Sequence, residues 1–169
     1  MKNMFNKFSI NKIELTLQEK TEILDVISNY KDQDVKSCVI EVLKIFQKHR
    51  GWISRDSIFK IANILNISEC DVEEVATFYS QIFRQPVGRN IIKYCDSMVC
   101  YVNGYEKIKN CLEKELNIIV GQTTTDFRFT LLPICCLGNC DKSPTMMIND
   151  DLYSNLTEFS VIKLLELYR

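Results

Sequence analysis

The first half of the chain repeats the spacing of apolar residues that is typical of amphipathic helices. Apolar side chains recur at intervals of three and four residues, which places them on one face of each helix. Thr16, with Glu19 three residues later, forms a capping-box pattern before the first run. The pattern predicts four helices whose apolar faces are Ile23, Leu24 and Ile27; Val35, Val39, Val42 and Phe46; Ile58, Ile61, Ala62 and Leu65; and Val72, Val75, Ala76 and Tyr79. Short connections between such helices indicate a small bundle.

The second half of the chain has the shorter periods of strands, interrupted by helical segments. Helix starts are expected at Asn103 and Thr157, because both residue types cap helices and both precede apolar residues at helical spacing. Short apolar or alternating runs predict strands at residues 90–94, 127–131, 145–148 and 152–153. The first three of these strands and the two helices follow the order β-α-β-β-α, which is typical of an α/β layer fold of the thioredoxin-like type.

A break in these patterns separates the two halves. Residues 85–88 contain Pro86 and Gly88, and such residues favour turns and linkers over regular structure. A chain of 169 residues is long enough for one ordinary domain together with a small helical one. We therefore expect a helical bundle at 1–86 and a thioredoxin-like domain at 87–169.

Composition and charge argue against two classes of partner. The net charge is −1 and charged residues make up 25% of the chain, so no basic surface for nucleic acid is expected. No apolar run approaches the ~20 residues of a membrane-spanning helix. The basic N-terminal residues 1–16 lack the apolar core and the cleavage site of a secretory signal. We expect a soluble, non-exported chain without direct membrane insertion.

Eight cysteines are the strongest chemical signal in this chain. In a protein that is not exported, clustered thiols indicate metal ligands rather than disulfides. One pair, Cys95 and Cys100, lies in YCDSMVC, and a second pair, Cys136 and Cys140, lies in CLGNC. Two local pairs of thiolates fit a [2Fe–2S] cluster, which takes two thiolates on each iron. Gly138 permits the tight backbone that such a loop needs.

Spacing alone leaves two questions about this site open. A structural zinc site also takes four thiolates, and its usual spacings include or come close to those of these pairs. In addition, Cys135 and Cys140 form a C-x4-C pair of their own. Adjacent side chains of an extended segment point in opposite directions, so only one of Cys135 and Cys136 is expected to reach the metal.

The helix expected to begin at Asn103 would place its positive end near Cys100.

The motifs around these cysteines resemble a known family. The residues from Gly88 to Asp150, with GWIS and EVATFYSQIF in the first half, closely resemble the family of E subunits of bacterial NADH-quinone oxidoreductase, the respiratory complex I. The resemblance implies a thioredoxin-like [2Fe–2S] domain behind a helical bundle. Cys135 would be a neighbour of the site, and the ligands implied are Cys95, Cys100, Cys136 and Cys140.

The same resemblance implies a role and a set of partners. The chain would be an electron carrier that holds one [2Fe–2S] cluster, with NADH and FMN bound in a partner subunit. It would dock on that flavin-bearing, NADH-binding subunit and join other subunits of the peripheral arm, in the cytoplasm at the inner membrane. No catalytic residue is expected in this chain, which has neither a GxGxxG motif nor a P-loop. Turnover would belong to the assembly.

Three alternatives accompany this interpretation. Equivalent subunits occur in NAD-linked hydrogenases and formate dehydrogenases, and the cysteine motif does not separate them. A helix-turn-helix at residues 58–79 would indicate a redox-sensing regulator, although the acidic side chains within 69–74 have the wrong charge for DNA. A zinc-bound structural module is the third alternative.

The remaining cysteines are expected to be small buried hydrophobic residues, namely Cys38, Cys70 and Cys111.

Overall fold

The structure is a computed structural model that describes residues 14–30 and 35–168. Residues 1–13, on which most of the expectation about secretion rests, lie outside the described residues. The chain divides into two compact units, Met1–Pro86 and Val87–Arg169. Within the described ranges, no helix has the length and apolarity needed to cross a membrane. The first unit is helical and the second combines helices with one sheet, so the expected α/β fold class is confirmed.

The described part of the first unit is a bundle of four helices. Their bounds are α1 Leu17–Asn29, α2 Val39–Arg50, α3 Arg55–Leu65 and α4 Glu69–Phe78, with a 3-10 turn at Val35–Cys38 before α2. Helix α2 is central, because it contacts α1, α3 and α4. Its side chains Val42, Leu43 and Phe46 are fully excluded from solvent. The four predicted helices are confirmed.

Capping explains where these helices begin and end. Thr16 and Glu19 form the predicted capping box: the Glu19 N–H donates to Thr16 Oγ1 at 3.2 Å, and the Thr16 N–H donates to Glu19 Oε2 at 2.8 Å. Ser54 and Ser68 accept from backbone N–H groups in the first turns of α3 and α4. Gly51 ends α2 with φ +81°, a conformation that glycine adopts without a Cβ penalty. Local sequence therefore sets the helix boundaries of this unit.

Three residues that were expected on the apolar faces do not lie in the bundle core. Val35 is 36% exposed and belongs to the 3-10 turn before α2. Leu24 of α1 is 65% exposed, whereas its neighbour Ile23 is buried. Tyr79 is 46% exposed and follows the end of α4, where its extended backbone takes it off the helical face. The predictions for Leu24 and Tyr79 are wrong because only part of the apolar face of α1 is buried and because α4 ends at Phe78.

The second unit contains a four-stranded sheet. The strands are β1 Asn90–Cys95, β2 Phe129–Ile134, β3 Met146–Ile148 and β4 Asp151–Tyr153, in the spatial order β2-β1-β3-β4. Strands β1 and β2 are parallel, whereas β3 is antiparallel to both β1 and β4. A parallel pair requires a crossover connection, which contains two helices here. These are α5 Met98–Val102 and α6 Tyr105–Leu116, and α7 Glu158–Leu167 follows β4.

The core of this unit is formed by the sheet together with α6 and α7. Fully buried side chains include Ile92 of β1, Leu112 of α6 and Val161 of α7. Gly88 allows the chain to approach β2 closely, since a Cβ at that position would lie 2.8 Å from the backbone carbonyl carbon of Phe129. This packing fixes β1 and β2 side by side, and so fixes where both strands end.

Two predicted details of the second unit are wrong. Helix α6 begins after Gly104, which has φ +81°, and Asn103 is instead the C-capping residue of the short helix α5. Phe127 has φ +53° and is 54% exposed, so it belongs to a turn before β2 and not to the strand. Both errors lie next to tight turns, where a left-handed backbone interrupts the apolar pattern that the prediction followed.

Candidate metal centre

The first cysteine pair lies where β1 gives way to α5. Cys95 is the last residue of β1, and Cys100 lies within α5. Their side chains are almost completely buried, with 1% and 2% of the residue surface exposed. Ser97 is the N-cap of α5, so the chain turns directly from strand into helix between the two cysteines.

The second cysteine pair lies in the loop after β2. Cys136 is exposed and Cys140 is partly buried, and their sulfur atoms are 3.3 Å apart. Gly138 between them has φ +78°, and its N–H donates to the Cys136 sulfur at 3.4 Å. Cys135 is exposed, but the sulfur beside that of Cys140 is the one of Cys136. The loop therefore presents Cys136 and Cys140 as a pair.

Parallel pairing of β1 and β2 brings the two cysteine pairs to one edge of the sheet. In this register, Cys95 is the Cα partner of Ile134, the last residue of β2. The second cysteine loop begins at the next residue, Cys135. The carboxyl ends of parallel strands lie at the same edge, so both loops leave the sheet side by side. The Asp96 N–H donates to the Ile134 carbonyl at 3.2 Å and continues the pairing beyond β1.

Backbone N–H groups from both loops converge on the sulfur of Cys95. Ser97, at the start of α5, and Leu137, in the second loop, both donate to it. Burial raises the pKa of the Cys95 thiol, but these donors outweigh burial and leave the pKa below its usual value. The site therefore favours a thiolate at Cys95. The backbone N–H at the start of the short helix α5 thus acts on Cys95, and the expectation that the start of α6 lies near Cys100 stays a prediction.

The other thiols respond to one another. Burial raises the pKa of Cys100 and contact with Cys95 adds to this effect, whereas hydrogen bonds with Thr145 oppose it. Thr145 is buried, and its Oγ1 lies 3.8 Å from the Cys100 sulfur. The hydrogen bond with Cys136 raises the pKa of Cys140, with further contributions from burial and from the charges of the other three thiols. The four thiols thus share one electrostatic environment.

The donor set and its grouping fit a two-iron cluster. Across residues 14–30 and 35–168, no three His, Cys, Asp or Glu side chains are grouped closely enough to hold one metal ion. The four thiols form two pairs, and a [2Fe–2S] cluster takes two thiolates on each of its irons. Thiolates are the soft donors that such clusters require. Backbone N–H donors, such as those on Cys95, provide the surrounding hydrogen bonds that orient and tune metal ligands.

The remaining cysteines differ from one another. Cys38 is fully buried in the helical unit and its S–H donates to the Val35 carbonyl at 3.0 Å, as expected for a small core residue. Cys111 is partly buried on α6. Cys70 is exposed, so the expectation that it is buried is wrong; it lies in the first turn of α4 on the side away from the buried Val72 and Ala76.

Three contributors to the site were not predicted as individual residues from the sequence. Ser97 and Leu137 act through their backbone N–H groups, which no residue type specifies. Thr145 was expected only as the start of a strand, and its position five residues after Cys140 is the one signal that could have pointed to it. The contacts of Leu137 and Thr145 depend on the convergence of separate loops, which spacing along the chain does not reveal.

Comparison with known proteins identifies the fold and the cofactor. A family model described as thioredoxin-like [2Fe–2S] ferredoxin matches residues 23–169. The chain belongs to this family. The expected cofactor, one [2Fe–2S] cluster, is confirmed by that membership, and the thioredoxin-like fold of the second unit is confirmed with it. The family decides between the cluster and the zinc alternative.

Bacterial relatives place the chain within the family. The E subunit of NADH-quinone oxidoreductase from Buchnera aphidicola subsp. Baizongia pistaciae (strain Bp) is 69% identical over 158 residues, which cover 94% of this chain and 91% of the relative. The E subunit from Escherichia coli (strain K12) is 56% identical over 156 residues, with 92% and 93% covered. The resemblance seen in the sequence is confirmed, and so is the expected class of an oxidoreductase subunit.

A solved structure shows the same fold at low sequence identity. The crystal structure of NAD+-reducing [NiFe]-hydrogenase in the H2-reduced state superimposes with a TM-score of 0.70 at 22% identity. The match covers 80% of this chain and 23% of the hydrogenase chain, so this chain corresponds to about a quarter of that one. The likeness supports the fold.

Proposed function

We propose that this chain is an electron-carrier subunit of an NADH-quinone oxidoreductase and exchanges electrons with flavin in a neighbouring subunit. The observation that carries the proposal is the convergence of two cysteine pairs at the end of β1 and β2, in a member of the thioredoxin-like [2Fe–2S] ferredoxin family. A [2Fe–2S] cluster held there supplies a centre that accepts and releases one electron. NADH and FMN bind in the partner subunit.

The ligand set we propose is Cys95 and Cys100 on one iron and Cys136 and Cys140 on the other. The grouping of the thiols supports this pairing, since the sulfur atoms of Cys136 and Cys140 are 3.3 Å apart and since Cys95 and Cys100 each shift the pKa of the other. Cys135 is a neighbour that does not bind iron. Cys95 and Cys100 are buried, whereas Cys136 is exposed and Cys140 is partly buried, so the second pair is the more accessible side of the site.

The chain's own residues would hold and stabilise charge at this site. The N–H groups of Ser97 and Leu137 donate to Cys95, and Thr145 interacts with Cys100. Hydrogen bonds to ligand sulfurs stabilise negative charge there and raise the reduction potential. The burial of Cys95 and Cys100 excludes water from one side of the site.

The partners and location that we propose follow from the relatives. Two E subunits of NADH-quinone oxidoreductases are 69% and 56% identical to this chain, and each covers more than nine-tenths of it. The partners would be the flavin- and NADH-binding subunit and other peripheral-arm subunits, in the cytoplasm at the inner membrane.

We also propose that 1–86 and 87–169 are separate domains, since the chain divides into compact units at that position.

A subunit of an NAD-linked hydrogenase is the second candidate. The structural likeness to an NAD+-reducing [NiFe]-hydrogenase favours it, but that protein is 22% identical to this chain. The NADH-quinone oxidoreductase subunits match at more than twice that identity and over nearly their whole length. For this reason the quinone-linked assembly is the function we propose.

Isolation of the intact assembly tests the proposal. The chain is tagged in its source organism, solubilised with its membranes in mild detergent and purified with whatever subunits accompany it. We expect a flavin-containing, NADH-oxidising subunit to co-purify, and NADH to produce an electron paramagnetic resonance signal that is absent from a Cys136→Ala strain. Recovery of a nickel-containing, hydrogen-oxidising assembly would favour the second candidate. A complex that lacks flavin would reject both.

A further inference from the structure

The second cysteine loop is held differently from the first pair. Cys95 and Cys100 are fixed by a strand, a helix and almost complete burial. The loop between β2 and the 3-10 turn Cys140–Lys142 has no regular structure, and Cys136 within it is exposed. Core packing therefore does little to fix this loop, and its geometry depends on the hydrogen bonds that anchor it.

One side-chain hydrogen bond anchors this loop directly beside a proposed ligand. Asn139 precedes Cys140, and its Nδ2 donates to the Oγ of Ser154 at 2.6 Å. Both side chains are partly buried, so water competes only weakly for the two groups. We call this pair the Asn139–Ser154 clasp. It joins the loop to the segment that follows β4.

The segment on the other side of the clasp is itself well fixed. Ser154 comes directly after β4, which pairs with β3, and β3 pairs with β1 next to Cys95. Two backbone hydrogen bonds continue the contact: the Asn155 N–H donates to the Lys142 carbonyl at 2.7 Å, and the Leu156 N–H donates to the Pro144 carbonyl at 3.1 Å. The sheet that positions Cys95 therefore also positions the acceptor of the clasp.

We infer that Asn139 and Ser154 are positioning residues that hold the second cysteine loop in the geometry needed to bind the cluster. The inference rests on the proposed ligand set. Without the clasp, the loop samples more conformations, and ordering it again offsets part of the binding free energy. Loss of such a supporting contact lowers metal affinity by about 10- to 100-fold at characterised sites. The effect should fall on cluster retention and leave the fold intact.

The test compares the rate of iron loss in variants of the full chain. Each protein is reconstituted with iron and sulfide, and iron release to an excess of ferrous-iron chelator is followed in the presence of dithionite. We expect Ser154→Ala and Asn139→Ala each to release iron at least about 10-fold faster than the parent chain. Ser154→Thr, which keeps the hydroxyl, should stay within about twofold of the parent.

The double variant separates the clasp from a general loss of stability. If the two side chains act through one hydrogen bond, Asn139→Ala/Ser154→Ala releases iron no faster than the faster single variant. If the acceleration of iron release in the double variant equals the product of the accelerations in the two single variants, the two side chains act independently and the inference is overturned. Ser28→Ala is the matched control, because its exposed hydroxyl also makes one hydrogen bond, to the Asp25 carbonyl at 2.8 Å, and it should match the parent.

Two further outcomes distinguish failure of the clasp from failure of the proposed function. If both single variants release iron at the parent rate while Cys140→Ala loses the cluster, the clasp is rejected and the ligand set stands. If Cys140→Ala keeps two irons per chain, the ligand set itself is rejected. Equal rates for Ser154→Ala and Ser154→Thr would also overturn the inference, since the hydroxyl would then be irrelevant.

Discussion

A hydrogen bond from the backbone of Leu137 is one of the interactions that lower the pKa of the Cys95 thiol against the effect of its burial. Leu137 lies in the loop of the second cysteine pair, whereas Cys95 ends the strand that leads to the first. This contact therefore joins the two halves of the proposed ligand set before any metal is considered. It also means that the backbone conformation of the second loop, and not only its cysteines, determines how well the site stabilises a thiolate.

Gly138→Ala tests the importance of that backbone conformation. Gly138 has φ +78°, and a Cβ added there would meet no other atom within 4 Å, so the substitution introduces conformational strain without a clash. Such strain costs about 1–2 kcal/mol. We expect less iron bound per chain after reconstitution, measured by iron analysis.

Gly51→Ala is the matched control for this substitution. Gly51 has φ +81° and equally open surroundings, but it ends α2 in the helical unit. It should lower the thermal unfolding temperature and leave the iron content unchanged. Equal iron losses in the two variants would contradict a specific role for the second loop.

Thr145→Val is expected to lower the reduction potential of the bound cluster. The Thr145 hydroxyl lies 3.8 Å from the Cys100 sulfur, and a hydrogen bond to a ligand sulfur stabilises the extra negative charge gained on reduction. A contribution of about 1 kcal/mol corresponds to roughly 40 mV in a one-electron couple. A redox titration followed by electron paramagnetic resonance measures the shift. Thr145→Ser, which keeps the hydroxyl, should have nearly the same reduction potential as the parent chain. A Thr145→Val chain with the parent potential would refute this role of the hydroxyl.

Thiol reactivity in the cluster-free chain should follow exposure. Cys95 has a lowered pKa, which would favour its reaction, but only 1% of the residue is exposed. Cys136 is exposed, and alkylation requires access as well as a thiolate. We therefore expect iodoacetamide to modify Cys136 well before Cys95, with exposed Cys70 as an internal reference, by peptide mass spectrometry over time. Modification of Cys95 first would show that the first pair is not buried in solution.

The Glu19–Arg50 ion pair should make the stability of the helical unit pH-dependent. Burial raises the pKa of Glu19, but hydrogen bonds from Arg50 and Thr16 and the Arg50 charge outweigh it, so the pKa lies below its usual value. A carboxyl group whose pKa is lowered by folding contributes its full stabilisation of the folded state at pH values above its pKa in the unfolded chain, about 4.3. That stabilisation is lost as the pH falls through the folded pKa. Thermal unfolding between pH 7 and pH 3 measures it.

Glu19→Gln should remove this contribution at neutral pH. Glu19 is 1% exposed and accepts from Arg50 Nε and a second guanidinium nitrogen at 2.8 and 2.9 Å. Breaking a buried pair typically costs about 3–5 kcal/mol, and the partial exposure of Arg50 reduces this to roughly 2 kcal/mol. Glu22→Gln is the control, because its exposed ion pair with Lys48 contributes little. A Glu19→Gln chain as stable as the parent would contradict the proposed role of the ion pair.

Local patterns predicted most of the fold because helix boundaries depend on neighbouring residues. The capping box at Thr16 and the stop at Gly51 involve contacts within a few residues, so the sequence contains them directly. Helix α5 was not predicted, because five residues are too short to show a helical period. Its position between the first two cysteines nevertheless decides which sulfur receives the N–H of Ser97.

The candidate site was predictable in its residue types and not in its geometry. Thiol pairs with this spacing indicated an iron–sulfur site, but the choice between Cys135 and Cys136 came from a family resemblance. The structure supplies a physical reason for favouring Cys136, whose sulfur lies 3.3 Å from that of Cys140. Contacts such as those of Leu137 and Thr145 join segments far apart in sequence, so no local pattern contains them.

Iron and acid-labile sulfide analysis of the anaerobically purified chain, with electron paramagnetic resonance after dithionite reduction, shows whether these four cysteines hold a [2Fe–2S] cluster. We expect two irons and two sulfides per chain with a spin-half signal, all lost in Cys136→Ala and retained in Cys135→Ala. Zinc without sulfide or signal would contradict the electron-carrier function. Iron that survives Cys136→Ala and disappears in Cys135→Ala would contradict the ligand set.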